Sequence, residues 1–166
     1  MTIYLIIPLL VVVALLQATV IPHLTVLGVF PDLPVIVVVC WGLLAGAREG
    51  LIWGFIAGVA VDLLAGAPFG AATLALSLVG FLSGMSGPIA VRARFILAML
   101  VVFLATIVYD LLFMLIVQIS GQAVAWLENL ARIAIPSAAL NAMLTPIILG
   151  ALHLLRNRFG REEMEW

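Results

Sequence analysis

The chain has 166 residues, 66% hydrophobic and only 9% charged, with a formal net charge of −1 and a mean hydropathy of +1.37. Soluble domains carry about a quarter charged residues, so this composition points to a membrane protein. The near-neutral charge argues against nucleic acid, which demands a basic stripe, and a lone cysteine, Cys40, set in an apolar run, excludes an intramolecular disulfide and argues against thiol catalysis.

The N-terminal stretch, MTIYLIIPLLVVVALLQATVIPHL, lacks the basic leader of a cleavable signal and is too long an apolar run for one. It reads as a retained first span over about 3–21. His23, beside Pro22 at the outer end of that span, reads as an interfacial residue; no second histidine stands near enough in sequence to suggest a metal. A spanning helix needs about 20 apolar residues. The runs at about 70–91, 95–119 and 133–155 meet that, while 33–47, opened by PDLP, and 51–66 are short. The short pair reads as two thin spans. A re-entrant hairpin would instead carry Arg48 and Glu49 into the bilayer, at about 2.5 to 3.5 kcal/mol for a charge near its centre.

Residues 1–166 are thus expected to form a single all-α transmembrane domain, a polytopic protein of six helices. All seven basic residues are arginine. With the N-terminus inside, Arg48, Arg92, Arg94, Arg156, Arg158 and Arg161 face the cytoplasm and only Arg132 faces out, a positive-inside pattern with both termini cytoplasmic. Between the fifth and sixth spans, SGQAVAWLENLARIAIP places Val124, Leu127, Leu130 and Ala131 at helical spacing among polar residues. This predicts a short helix over about 122–131 lying on the outer surface, with Trp126 at the interface.

The stretch EGLIWGFIAGVAVDLLAGAPFG, residues 49–70, carries glycines at 50, 54, 58, 66 and 70, and an aspartate at 62. Residues four apart share a helix face, so Gly46, Gly50, Gly54 and Gly58 trace a groove that Asp62 continues. Close approach at small residues supplies association energy in lipid, and Gly80 and Gly84 in the next helix make the natural mate. Such a groove has room for an acyl chain, or for side chains from a neighbour. Asp62 lies roughly 18 Å from the cytoplasmic end of its helix, in the outer half of the bilayer, and Asp110, in TIVYDLLFM, lies at a like depth. Intramembrane acids are candidates for function by default. Two readings stay open: each carboxylate accepts hydrogen bonds from backbone N–H groups or hydroxyls near a helix break, or the pair handles an ion or proton. Asn141 and Thr145, beside Pro146 and following Pro136, read as local repair of a proline break.

At these residues the chain resembles the rod shape-determining MreD family. The stretch REGLIWGFIAGVAVDLLAGAPFGAATLALSLVGFLSG, residues 48–84, carries that family's glycine-rich helix, its D-L-L, its P-x-G turn and its small-residue helix. Gly54, Gly58, Asp62, Leu63, Leu64, Pro68, Gly70 and Gly80 match by position. The resemblance implies a fold similar to the substrate-binding subunits of energy-coupling-factor vitamin transporters, and a non-enzymatic role without cofactor. It implies binding to the bitopic scaffold MreC, beside the RodA glycosyltransferase and its penicillin-binding transpeptidase partner, in support of peptidoglycan synthesis and cell shape. Membrane lipid is the other expected partner, and pairing with a second copy as a homodimer is left open. The site residues carried forward are Gly50, Gly54, Gly58, Asp62, Pro68, Gly70, Gly80, Gly84 and Asp110.

Three rival readings are weaker. A vitamin-transporter substrate-binding subunit needs a pocket of convergent polar groups, and the polar inventory is thin. An intramembrane aspartic protease would carry asparagines beside its acids, and neither GVAVDLLAG nor TIVYDLLFM holds one. An ion-coupled transporter would show matching broken helices in two halves, whereas the two D-L-L segments fall in the third and fifth spans. If Asp62 is a hydrogen-bonded lock closing the glycine groove, asparagine there is expected to be mild, and leucine to lower folded yield.

Overall fold

In a computed structural model, the structure describes residues 2–19, 28–66, 68–92 and 95–159. His23, Arg94 and Arg161 lie outside them. The described residues are helical almost throughout: α1 Thr2–Thr19, α2 Leu33–Ala45, α3 Ala47–Ala65, α4 Ala71–Arg92, α5 Phe95–Ile119, α6 Trp126–Asn129 and α7 Ile135–Phe159, with Leu130–Ala134 a π-helical turn joining α6 to α7. Six of these helices are long and one is a single turn. Ile96–Ile119 and Trp126–Arg156 are continuous helical stretches long and apolar enough to cross a bilayer; Ile7–Thr19, Leu33–Ala45 and Ala71–Ser86 are apolar but shorter.

The sequence of α2 explains its place. It is apolar all round, with no polar face to turn outward, and every residue from Pro34 to Leu44 is buried. Pro34 stands in its first turn, where the missing N–H costs nothing. The helix is the hub of the bundle, touched by α1, α3, α4, α5 and α7. Its two ends are held by side chains from elsewhere. Gln17 of α1 accepts the Leu33 N–H at 3.1 Å, and the Arg156 guanidinium of α7 donates to the Leu44 carbonyl, a cation at the negative end of a helix.

Two boundaries differ from the expectation. The third helix starts at Ala47, so Arg48 and Glu49 lie in its first turn, and Gly46 sits just before the helix with its backbone still against Gly84. Gly46 has φ 101°, a conformation that favours glycine, and it reverses the chain in a single residue between α2 and α3. The short outer helix is likewise not a separate element lying on the surface. It begins at Trp126 and runs through the π-turn into α7, with the Ile135 N–H reaching back to the Leu130 carbonyl. Pro136 follows immediately and has no N–H to offer the preceding turn, the setting in which a helix ladder widens.

Candidate functional site

The tightest seam in the molecule lies between α3 and α4, and it is made of backbone. A Cβ added at Gly50 would overlap the Gly80 carbonyl, and one at Gly80 would overlap the Gly50 carbonyl. At Gly54 it would meet the Leu76 carbonyl, at Gly58 the Thr73 Cα, and at Gly84 the Ala47 backbone. The glycine groove is therefore filled by the backbone of α4, with no space for an acyl chain. Gly42 of α2, four residues before Gly46, joins the same seam against Gly80 and Ser83 from a different helix. The open apolar groove lies instead between α4 and α5, about 240 Å³ in volume, with Val79, Leu82, Leu104 and Val108 on its walls.

At the end of this seam Asp62, only 4% exposed, meets the N-terminus of α4. Its Oδ1 accepts the Ala72 N–H at 2.9 Å. Its Oδ2 accepts the Gly70 N–H at 3.0 Å, the Thr73 N–H at 3.0 Å and the Thr73 hydroxyl at 2.6 Å. The first amides of a helix have no intrahelical partner and carry the positive end of its dipole, so one carboxylate meets both needs. It does so from the preceding helix, which fixes the relative height of α3 and α4. The connection is shaped to allow this: Gly66 (φ 62°) ends α3, Gly70 (φ 101°) turns the chain back, and the Pro68 carbonyl accepts the Ala71 N–H at 3.1 Å. This geometry corrects the expectation for asparagine. Both carboxylate oxygens accept from donors, so an amide would turn its own N–H groups toward at least one of them.

Asp110 on α5 differs. Its Oδ2 is buried without a hydrogen-bond partner. Asn141 is the residue that sequence reasoning undervalued. Fully buried, its Oδ1 accepts the Asp32 N–H at 2.8 Å and its Nδ2 donates to the Thr106 hydroxyl at 3.1 Å. It therefore ties α2, α5 and α7 together rather than repairing the Pro146 break. Thr145 does bond locally, to the Asn141 carbonyl at 2.8 Å. A polar residue in the middle of an apolar helix was the available signal; its partners, more than a hundred residues away for Asp32, were not legible. Trp41 and Trp53 add a further feature. Their rings stack at 4.1 Å, and both indole N–H groups are buried without partners. Among the described residues no group of acidic, histidine or cysteine side chains is arranged to hold a metal ion.

No curated protein and no solved structure matches the chain at a significant level. The model of the family described as rod shape-determining protein MreD matches residues 1–156. That span takes in the glycine seam, the Asp62 cap and the Asn141 bridge alike, and with them nearly the whole bundle. By this match the chain belongs to the MreD family, whose members are shape-determining proteins of the bacterial cell membrane.

Proposed function

We propose that this protein is a non-enzymatic scaffold of the bacterial cell-elongation machinery. In this reading it crosses the inner membrane six times with both termini in the cytoplasm, in a fold of the kind used by vitamin-transporter substrate-binding subunits. It holds an MreC-type bitopic protein in place, and through it supports peptidoglycan synthesis by a RodA-type glycosyltransferase and a penicillin-binding transpeptidase. The observation that carries the reading is the family match over residues 1–156. The chemistry of the interior agrees with it. Asp62, Asn141 and Gln17 are engaged in holding helix ends and backbone amides, which is how polar side chains serve a rigid frame inside lipid.

The test is gentle solubilisation from the native membrane followed by mass spectrometry of what co-purifies. The expected companion is a single-span protein with a coiled coil and an extracytoplasmic β domain, with or without cell-wall synthases. Paired ATPases with a membrane coupling subunit would overturn the scaffold reading.

A further inference from the structure

Where α5 and α7 pack together, the polar side chains are occupied. The Thr106 hydroxyl donates to the Val102 carbonyl at 2.8 Å and accepts from Asn141. Asn141 also holds the Asp32 N–H, Thr145 donates to the Asn141 carbonyl, and the Ser137 hydroxyl donates to the Phe30 carbonyl at 3.2 Å. Asp110 is the exception. It stands one turn beyond Thr106 on α5, about nine residues or roughly 14 Å before the helix ends at Ile119. Its Oδ2 is buried without a partner, while the side chain as a whole is only half-buried and Leu111 beside it is exposed. The carboxyl therefore lies at the edge of the bundle, within reach of a group outside it.

Neither protonation state removes the need for such a group. An ionised carboxylate in hydrocarbon is costly without a counter-charge. A protonated one has an O–H to give and oxygens that still accept. Among the described residues no cation meets it. Arg132, after the end of α5, pairs with Glu128, and Arg156 is engaged at the far end of α2, on the Leu44 carbonyl. Asp62, the other acid inside a helix, is bonded to donors through both oxygens. The fold uses one intramembrane acid and leaves the other open.

We infer that Asp110 is a docking point for a basic side chain, lysine or arginine, carried on the membrane span of a partner protein that lies against the α5–α7 edge. The inference rests on the scaffold reading above and names the place where the single-span partner engages. Lysine or arginine brings both the missing charge and N–H donors, and its apolar stem runs along the neighbouring helices before the charged head. A metal ion would need several ligands besides one carboxylate, and among the described residues none are grouped to supply them.

The test is the co-purification of the single-span partner with variants of Asp110. Asp110→Asn keeps the shape and removes the charge. Because the fold gives the buried oxygen no partner, folded yield and thermal stability should match the parent. The partner retained per folded chain is expected to fall at least about tenfold, as for a lost buried charge pair. Asp110→Glu, which keeps the charge, is expected to retain it. Retention by the asparagine variant at the parent's level would overturn the inference. So would a loss of folded yield, which would make Asp110 a structural residue. A photo-activatable residue in place of Leu111 gives an independent reading. Cross-linking to the single-span partner is expected there, and cross-linking only to lipid or to a second copy of this chain would also sink the inference. If the parent chain itself retains no single-span protein, the scaffold reading falls and the docking point with it; if the parent retains one that Asp110→Asn retains equally, only the docking point falls.

Discussion

Two helix pairs in this bundle are held by opposite means. Between α3 and α4 the contact depends on what is missing: glycines at 50, 54, 58, 80 and 84 leave the backbones touching. Between α5 and α7 it depends on what is present, the Asn141 amide reaching Thr106 across the pair and Asp32 beside it. A seam made of absence is sensitive to any added atom and indifferent to chemistry. A polar bridge is sensitive to lost partners and more forgiving of shape. In lipid, where little hydrophobic drive pulls helices together, close packing and internal hydrogen bonds are the two forces available; the length of the α3–α4 seam rests on the first, with the Asp62 hydrogen bonds added at its end, and the α5–α7 bridge rests on the second.

The hardest test of the seam is Gly50→Ala. The new methyl meets the Gly80 carbonyl, which is backbone and cannot swing aside, so the helices must separate. Overpacking of this kind costs about 1–3 kcal/mol and occasionally more, and the expected result is a marked fall in folded yield and thermal stability in detergent. Gly150→Ala, where a Cβ meets nothing within 4 Å, should be neutral or slightly stabilising, since alanine gains up to about 1 kcal/mol over glycine in a helix. Equal behaviour of the two variants would dissolve the contrast.

Asp62 comes next. Asp62→Leu removes the acceptor of the Gly70, Ala72 and Thr73 N–H groups and should cost about 3 kcal/mol or more, as buried donors lose their partners at about 1–3 kcal/mol each. Asp62→Asn should fall between leucine and the parent, losing about 1–3 kcal/mol, because one of its two ends must face a donor. An asparagine variant as stable as the parent would show that a single oxygen suffices, and would return the weight to the glycines.

Asn141→Leu sharpens the other side of the comparison. It keeps volume but strips the Asp32 amide of its acceptor and the Thr106 hydroxyl of one of its two partners, the Val102 carbonyl remaining, and a loss of about 1–3 kcal/mol is expected. The Thr106→Val change in the same background should then add little, because the two residues share one interaction. Full additivity by thermal unfolding would break the bridge as an explanation. The smallest effect is expected at the exposed Glu128–Arg132 pair, 3.4 Å apart with side chains 61% and 78% exposed. Glu128→Gln should change stability by less than about 0.5 kcal/mol.

The sequence by itself determined a great deal here. Composition marks the membrane class, apolar run lengths set the ends of α5 at Phe95 and Ile119, and the four-residue glycine spacing marks both sides of the α3–α4 seam. These are local properties: run length and i, i+4 periodicity are fixed within one or two helical turns. What only the tertiary structure decided lies beyond that range. Gly42 enters the seam from another helix, Gln17 and Arg156 hold the two ends of α2, and Asn141 finds an amide 109 residues away. Asp62 stands between the two cases. Its neighbour in sequence, the GAPFG turn, made it a candidate for capping a break, but that both its oxygens face donors depends on how α4 returns along α3. A residue's type and spacing say which partners it needs; which groups meet that need is set by the packing of helices that are distant in the chain.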